Sequence, residues 1–332
     1  MLKGYTKQEI SWMMYDWANS AHSVIIVTLL PIFFDTVAGY TADSVSSMST
    51  WGYATSIAML IVALAAPFLG VFGDIRGMRK KLFSFFMLLG VAACAGMAFT
   101  PGMDFTSGPV AAGKVATLIL VLYIVSVIGF DASAIYYDAF LTDVTTENRM
   151  DKVSTMGYGL GYIGGSTIPL LIFLIMNLVG VPMLTCLAFV FGLTAVWWLA
   201  FSLPLLKNCE QTSGKPYEKG DVARSIKGVG TTIKEIIANK PMLIYILSYF
   251  FYIDGVHTVI SMATTYGTNL GLDSTGMMLA LLLVQILGLP FCLLYIKCSE
   301  KFGARTMVGF GICVYMFICI FAFFMNSLWQ FW

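Results

Sequence analysis

Nine uninterrupted apolar runs constrain this chain more than any other feature of its sequence. They lie at about residues 12–37, 51–72, 82–99, 115–137, 153–178, 182–206, 242–266, 274–296 and 306–325. At a rise of about 1.5 Å per residue, a helix of roughly 20 residues crosses a hydrocarbon core of about 30 Å. In lipid every backbone N–H and C=O needs a partner inside the protein, and runs this long exceed the roughly ten residues of a barrel strand, so the runs are helices. The composition agrees: 58% of the 332 residues are hydrophobic, 11% are charged and the mean hydropathy is +0.83, more apolar surface than a water-soluble fold could bury. The fold class expected is therefore an all-α membrane protein with nine transmembrane helices.

Threading the nine runs back and forth places every Lys and Arg except Lys114 on one side. Basic residues collect on the cytoplasmic side of membrane proteins, so the N-terminus is expected to be cytoplasmic. The first run is too long for a cleaved signal peptide and holds Asp16, so it is expected to stay as the first helix. The basic residues fall in short clusters and the net charge is +1, which gives no footprint for a nucleic acid. Of seven cysteines, five lie inside apolar runs, and Cys209 and Cys298 lie on the basic side, so no disulfide framework is expected.

The longest polar stretch, residues 207–240, carries seven basic and four acidic residues. It divides the chain into an N-terminal six-helix bundle (1–206), a cytoplasmic linker (207–240) and a C-terminal part with three helices (241–332). Within the linker Val222, Ile226, Val229, Ile233 and Ile237 recur at helical spacing, which points to an amphipathic helix on the inner leaflet or beneath the bundle. The two halves share a loop pattern. After the second helix stand Asp74, Gly77 and Arg79, and after the eighth stand Glu300, Gly303 and Arg305, the same residue kinds at the same spacing.

Ionisable groups inside apolar runs cost roughly 2.5–3.5 kcal/mol each on insertion scales, so each calls for a reason. The first helix carries Asp16, Asn19 and His22, spaced three apart. The fourth carries Asp131 and Asp138, seven apart on one stripe, with Tyr137 beside the latter. The seventh carries Asp254, His257 and Thr258, and the eighth carries Gln285. Against mutual structural hydrogen bonding stands the alternative of a substrate or proton-coupling site, for which Asp254 and His257 are the leading pair, because a carboxylate and an imidazole one turn apart exchange a proton near neutral pH. Gly157, Gly161 and Gly165 recur every four residues and predict close helix packing. The aromatic cluster Trp12, Tyr15 and Trp17 reads as an interfacial belt. Two histidines, no His-Glu-x-x-His, no nucleophile elbow and no phosphate loop argue against an enzyme, a metal site or a cofactor.

Several of these segments carry a family resemblance. Gly70-x-x-x-Asp74-x-x-Gly77-x-Arg79 resembles the loop signature of the major facilitator superfamily, with Glu300, Gly303 and Arg305 as its echo in the second half. The segments Tyr15–Ala21, Tyr137–Asp143 with Gly159–Gly165, and Asp254-Gly255-x-x-Thr258 are similar to the vacuole-effluxer branch of that superfamily, which includes amino-acid effluxers of fungal vacuoles and bacterial relatives. The resemblance implies a two-bundle transporter of twelve helices, a central cavity lined by the first, fourth, seventh and tenth, and alternating access. It implies that Asp16, Asn19, Asp138 and Asp254 lie at or near that cavity. This chain has Asp138 where the family often has Asn and His22 where it often has an aromatic, and it stops after the third helix of the second half.

The expected function is a monomeric secondary transporter in the bacterial cytoplasmic membrane, carrying a small polar solute, an amino acid among the options, with a proton as coupling ion. A non-transporting sensor or scaffold, an incomplete transporter product and an exporter of hydrophobic solutes are the alternatives.

Overall fold

A computed structural model describes residues 4–41, 44–214, 216 and 221–332. Among the described residues there is no strand, and nine helical segments are long and apolar enough to cross a membrane. The chain divides into two compact units, Met1–Lys219 and Gly220–Trp332. Residues 215 and 217–220 of the expected linker lie outside the described residues, as do the side chains of Val222 and Ile226.

In the first unit, α1 (Lys7–Thr28) and α2 (Leu30–Ala38) form one span. The expected single helix is interrupted at Leu29, two residues before Pro31, which lacks the N–H an unbroken helix would use. Then come α3 (Ser44–Gly73), α4 (Arg79–Met97), α5 (Pro109–Val144), α6 (Met150–Gly161), a π-helical turn (Tyr162–Thr167), α7 (Ile168–Leu178) and α8 (Met183–Asn208). The start of α1 is fixed by a capping box: the Thr6 hydroxyl accepts from the Glu9 N–H at 3.1 Å, and the Glu9 carboxylate accepts from the Thr6 N–H at 2.7 Å.

Helix α1 is the centre of this unit, packed against α5, α6, the π turn and α8. Glycine permits the approach. A Cβ on Gly161 would lie 2.5 Å from the Ser20 hydroxyl oxygen, and one on Gly165 would lie 2.5 Å from the Trp17 carbonyl oxygen, so backbone meets backbone along this seam. The π turn places Gly164 and Gly165 both against α1, and its own slack is taken up by Thr167, whose hydroxyl donates to the Tyr162 carbonyl at 2.7 Å. Outward-facing side chains such as Phe85, Leu88, Val121 and Leu178 are exposed, as a lipid solvent requires.

The second unit holds α9 (Asp221–Ala238), α10 (Lys240–Asn269), α11 (Ser274–Phe302), α12 (Ala304–Phe323) and the short α13 (Leu328–Phe331). Gly228 and Gly230 lie within α9 without breaking it, and its Ile233 and Ile237 are exposed. Asp273 caps α11 by accepting from the Gly276 N–H at 2.6 Å, and the Tyr266 hydroxyl donates to the Ala322 carbonyl at 3.1 Å. The buried side chains here are few, chiefly Met277, Met278, Ala280, Leu282 and Leu289.

Candidate functional site

Asp16 lies in the third turn of α1 with 8% of its surface exposed. Its carboxylate is lodged against Gly157 of α6, where a Cβ would lie 2.5 Å from Oδ2, so a side chain at 157 would displace it. On the other side stands α5. The Tyr137 hydroxyl faces the Asp16 carboxylate, and Asp138 is the next residue along α5. Asp138 is exposed, so the cluster reaches the surface of the unit there.

Aromatic rings fix this arrangement. Trp12 stacks on Tyr137 with centroids 4.3 Å apart, and its indole N–H donates to the Tyr137 carbonyl at 2.9 Å. Tyr15 lies 4.7 Å from the Tyr137 ring on another side, its hydroxyl 2.8 Å from Ser133 Oγ. Trp12 and Tyr15 are 2% and 0% exposed, so they are interior residues and not the interfacial belt expected from sequence. The reason is the helix face: they point at α5, while Trp17, a turn further on, packs against Trp197 and the π turn.

The remaining residues of the expected site are scattered. Asn19 is buried on α1 at 8% exposure. His22 is 3% exposed and sandwiched between Phe130 at 4.8 Å and Trp198 at 5.1 Å, with neither ring nitrogen hydrogen-bonded. Six residues along a helix is about 120° from Asp16 in azimuth, which separates the two. Asp131 is half-buried on α5 with Oδ2 unpaired. In the second unit, Asp254, His257 and Thr258 are exposed on α10, and Gln285 of α11 is half-buried with Oε1 unpaired.

The signature loop forms a second site at the basic end of the first unit. Gly70 closes α3 by accepting from the Asp74 N–H at 3.2 Å. Gly77 has φ +81°, and its counterpart Gly303 in the second unit also has φ +81°, a left-handed conformation that favours glycine. Asp74 is 79% exposed and 3.8 Å from Arg79; it does not cap α4, whose first N–H, that of Arg79, donates to Gln211 Oε1 at 3.3 Å. Arg79 instead turns inward to Asp143 at the end of α5 and donates to the Ala139 carbonyl at 3.0 Å. Glu300 and Arg305 flank Gly303 on the surface of the second unit.

Residues absent from the expected site complete this corner. The segment Cys209–Gly214, expected as linker, folds back as a strap on the first unit. Gln211 accepts from the Gly77 N–H at 2.8 Å and donates to the Gly73 carbonyl at 3.0 Å. Asp143 Oδ1 accepts from the backbone N–H and hydroxyl groups of both Thr212 and Ser213 at 2.7–3.1 Å. Cys209 is fully buried, and burial pushes its thiol up to about 12 against the opposing charge of Lys80, whose ammonium donates to the Cys209 carbonyl at 3.1 Å. Nearby, Glu9 holds Arg149 by two bonds of 2.9 Å and accepts from Thr145 at 2.7 Å, tying α1 to the α5–α6 junction. The Thr6-x-x-Glu9 pattern was the one local signal for this network.

Nine candidate spans among the described residues and a glycine-turned signature loop are the architecture of a major facilitator-type transporter, and the comparisons with known proteins agree. Two solved structures share the fold: a D-xylose-proton symporter (TM-score 0.52, 15% identity, 89% of this chain and 69% of that one) and the xylose transporter XylE from E. coli in a partially occluded inward-open conformation (TM-score 0.52, 13%, 90% and 73%). Residues 5–332 match the family described as vacuole effluxer Atg22 like, and the chain belongs to that family. An uncharacterized MFS-type transporter, YxiO of Bacillus subtilis, is 39% identical over the whole of this chain and 77% of its own length. Autophagy-related protein 22-1 of Penicillium rubens is 24% identical over half of this chain, which spans 30% of the fungal protein. The protein is thus a multi-pass membrane transporter of the major facilitator type and not an enzyme.

Proposed function

We propose that the protein moves a small polar solute, amino acids included, across the bacterial cytoplasmic membrane by alternating access, with a proton as coupling ion. One observation carries this reading: a carboxylate 8% exposed inside a membrane helix, beside the hydroxyl of Tyr137. A buried acid is costly in hydrocarbon, and a passenger that engages it offsets the cost. Asp16, Asp138, Tyr137 and Asn19 are the candidate substrate positions of the first unit. Asp254, His257 and Thr258, with Gln285 on the next span, are the candidate positions of the second unit considered by itself, and His22 and Asp131 are further polar positions of the first. The loops at Gly70, Asp74, Gly77 and Arg79 and at Glu300, Gly303 and Arg305 act as gates.

The test is uptake by the purified chain in liposomes, with and without an imposed pH gradient. Gradient-driven uptake that falls in Asp254→Asn and His257→Ala supports the reading. Unchanged uptake in both variants removes the second-unit positions, and uptake indifferent to the gradient removes the proton.

A further inference from the structure

Helix α9 is 18 residues long, about 27 Å, yet it is too polar to cross a membrane, since its sequence holds Asp221, Arg224, Lys227, Lys234 and Glu235. Its apolar residues are gathered on one side instead. In helical projection Val229, Ile233, Ile236 and Ile237 fall within an arc of about 100°, with Thr231 and Glu235 opposite and Lys234 on the flank. Ile233 and Ile237 are 49% and 60% exposed. A stripe of isoleucine presented to water marks an interaction surface.

The place of the helix along the chain points to its partner. Asn239 alone separates α9 from the span α10, and it leaves little slack: its N–H donates to the Glu235 carbonyl at 2.9 Å, and its carbonyl accepts from the Leu243 N–H at 2.9 Å. Between Lys240 and Asp254 the sequence holds no charge, so the hydrocarbon begins near Pro241. Ile237 is therefore about one helical turn from the acyl chains. Met242 and Ile244, 46% and 55% exposed, carry the apolar surface on into the span. This end of α10 is also basic, with Arg224, Lys227, Lys234 and Lys240 against Glu235 alone between residues 224 and 240. The inner leaflet carries anionic headgroups, to which such residues are drawn.

We propose that α9 docks on the inner leaflet, with Ile233 and Ile237 among the acyl chains and Lys234 at the headgroups of anionic phospholipids. The partner is the bilayer and not another protein. Nine other segments already hold the chain in the membrane, so what α9 adds is a response to lipid charge, delivered at the start of α10, the first span of the second unit. The inference concerns lipid and stands whichever solute the protein carries.

The experiment uses the full chain, its seven cysteines replaced, in vesicles of phosphatidylcholine with or without phosphatidylglycerol. A bimane label is attached in turn to Ile237→Cys, Glu235→Cys and Phe317→Cys, the last replacing a side chain 67% exposed on the span α12. Brominated acyl chains quench the label from the lipid and iodide quenches it from water. The label at 237 is expected to be quenched by brominated lipid as the one at 317 is, and the label at 235 by iodide. Omitting phosphatidylglycerol, or introducing Lys234→Glu, is expected to weaken lipid quenching at 237 by about twofold. Iodide quenching at 237 equal to that at 235 places the helix in water and overturns the proposal. A label at 237 shielded from both quenchers is covered by protein, which overturns it equally. Lipid quenching at 237 that ignores both changes overturns the role of lipid charge.

Discussion

Arg79 and Asp143 pair where the start of α4 meets the end of α5, with 5% and 0% of their side chains exposed. The carboxylate serves two masters, holding the guanidinium through Oδ2 and the Thr212–Ser213 strap through Oδ1. The signature loop, the fourth span and the first residues after α8 are thereby joined at one acid.

Removing one member leaves the other's charge buried without its counter-charge, although each keeps its remaining hydrogen bonds, and costs about 3 kcal/mol. Arg79→Ala and Asp143→Ala are each expected to lower the thermal unfolding midpoint in detergent by several degrees. The double variant falls no further than the worse single one, since both act on one interaction. A single variant with the parent's midpoint, or fully additive losses, would contradict the pairing.

Cys209 reports on the strap. With its thiol near 12, only about one molecule in ten thousand carries a thiolate at pH 8, and burial blocks the reagent as well. In a variant keeping only this cysteine, maleimide labelling is expected to be slow and to rise about tenfold per pH unit between 8 and 9. Gln211→Ala removes the side chain that bridges Gly73 and Gly77, and labelling should accelerate at least tenfold. Rapid labelling of the parent at pH 8 would show the strap open in solution.

The seam between α1 and α6 predicts opposite signs for two glycine substitutions. Gly161→Val forces atoms into the Ser20 hydroxyl and the Asp16 backbone and is expected to destabilise by about 1–3 kcal/mol. Gly228→Ala meets nothing within 4 Å in the middle of α9 and is expected to be neutral or stabilising by up to about 1 kcal/mol. Equal effects of the two on unfolding would argue against the backbone contact at the seam.

Trp12 and Tyr137 separate structure from transport. Trp12→Leu loses a stacked pair and an indole hydrogen bond, together about 1–3 kcal/mol. Tyr137→Phe keeps the ring and removes only the hydroxyl beside Asp16, so stability falls by no more than about 1 kcal/mol while uptake falls. A large loss of stability in Tyr137→Phe would make that hydroxyl structural.

The spans were legible because run length in lipid is itself the signal, although α5 extends to Val144, beyond the apolar stretch ending near 137. The shared glycine turn was legible too, and Gly77 and Gly303 adopt the same φ. Burial direction was not legible. Asp16 and His22 look like neighbours at intervals of three, yet they face different helices. The strap escaped sequence reading because Gln211 finds its partners more than 130 positions away and polar loops carry no periodicity.

The π turn sets the azimuth of all that follows it in the fifth span. Such a turn holds one residue more than an α-helical register would. Deleting one residue between Tyr162 and Thr167 would turn α7 by roughly 100°. Leu171 and Ile175, now 40% and 50% exposed, would swing away from the acyl chains, and Leu170 and Phe173, now sealed inside, would be carried toward them. A single codon thus governs which side of that helix the bilayer wets.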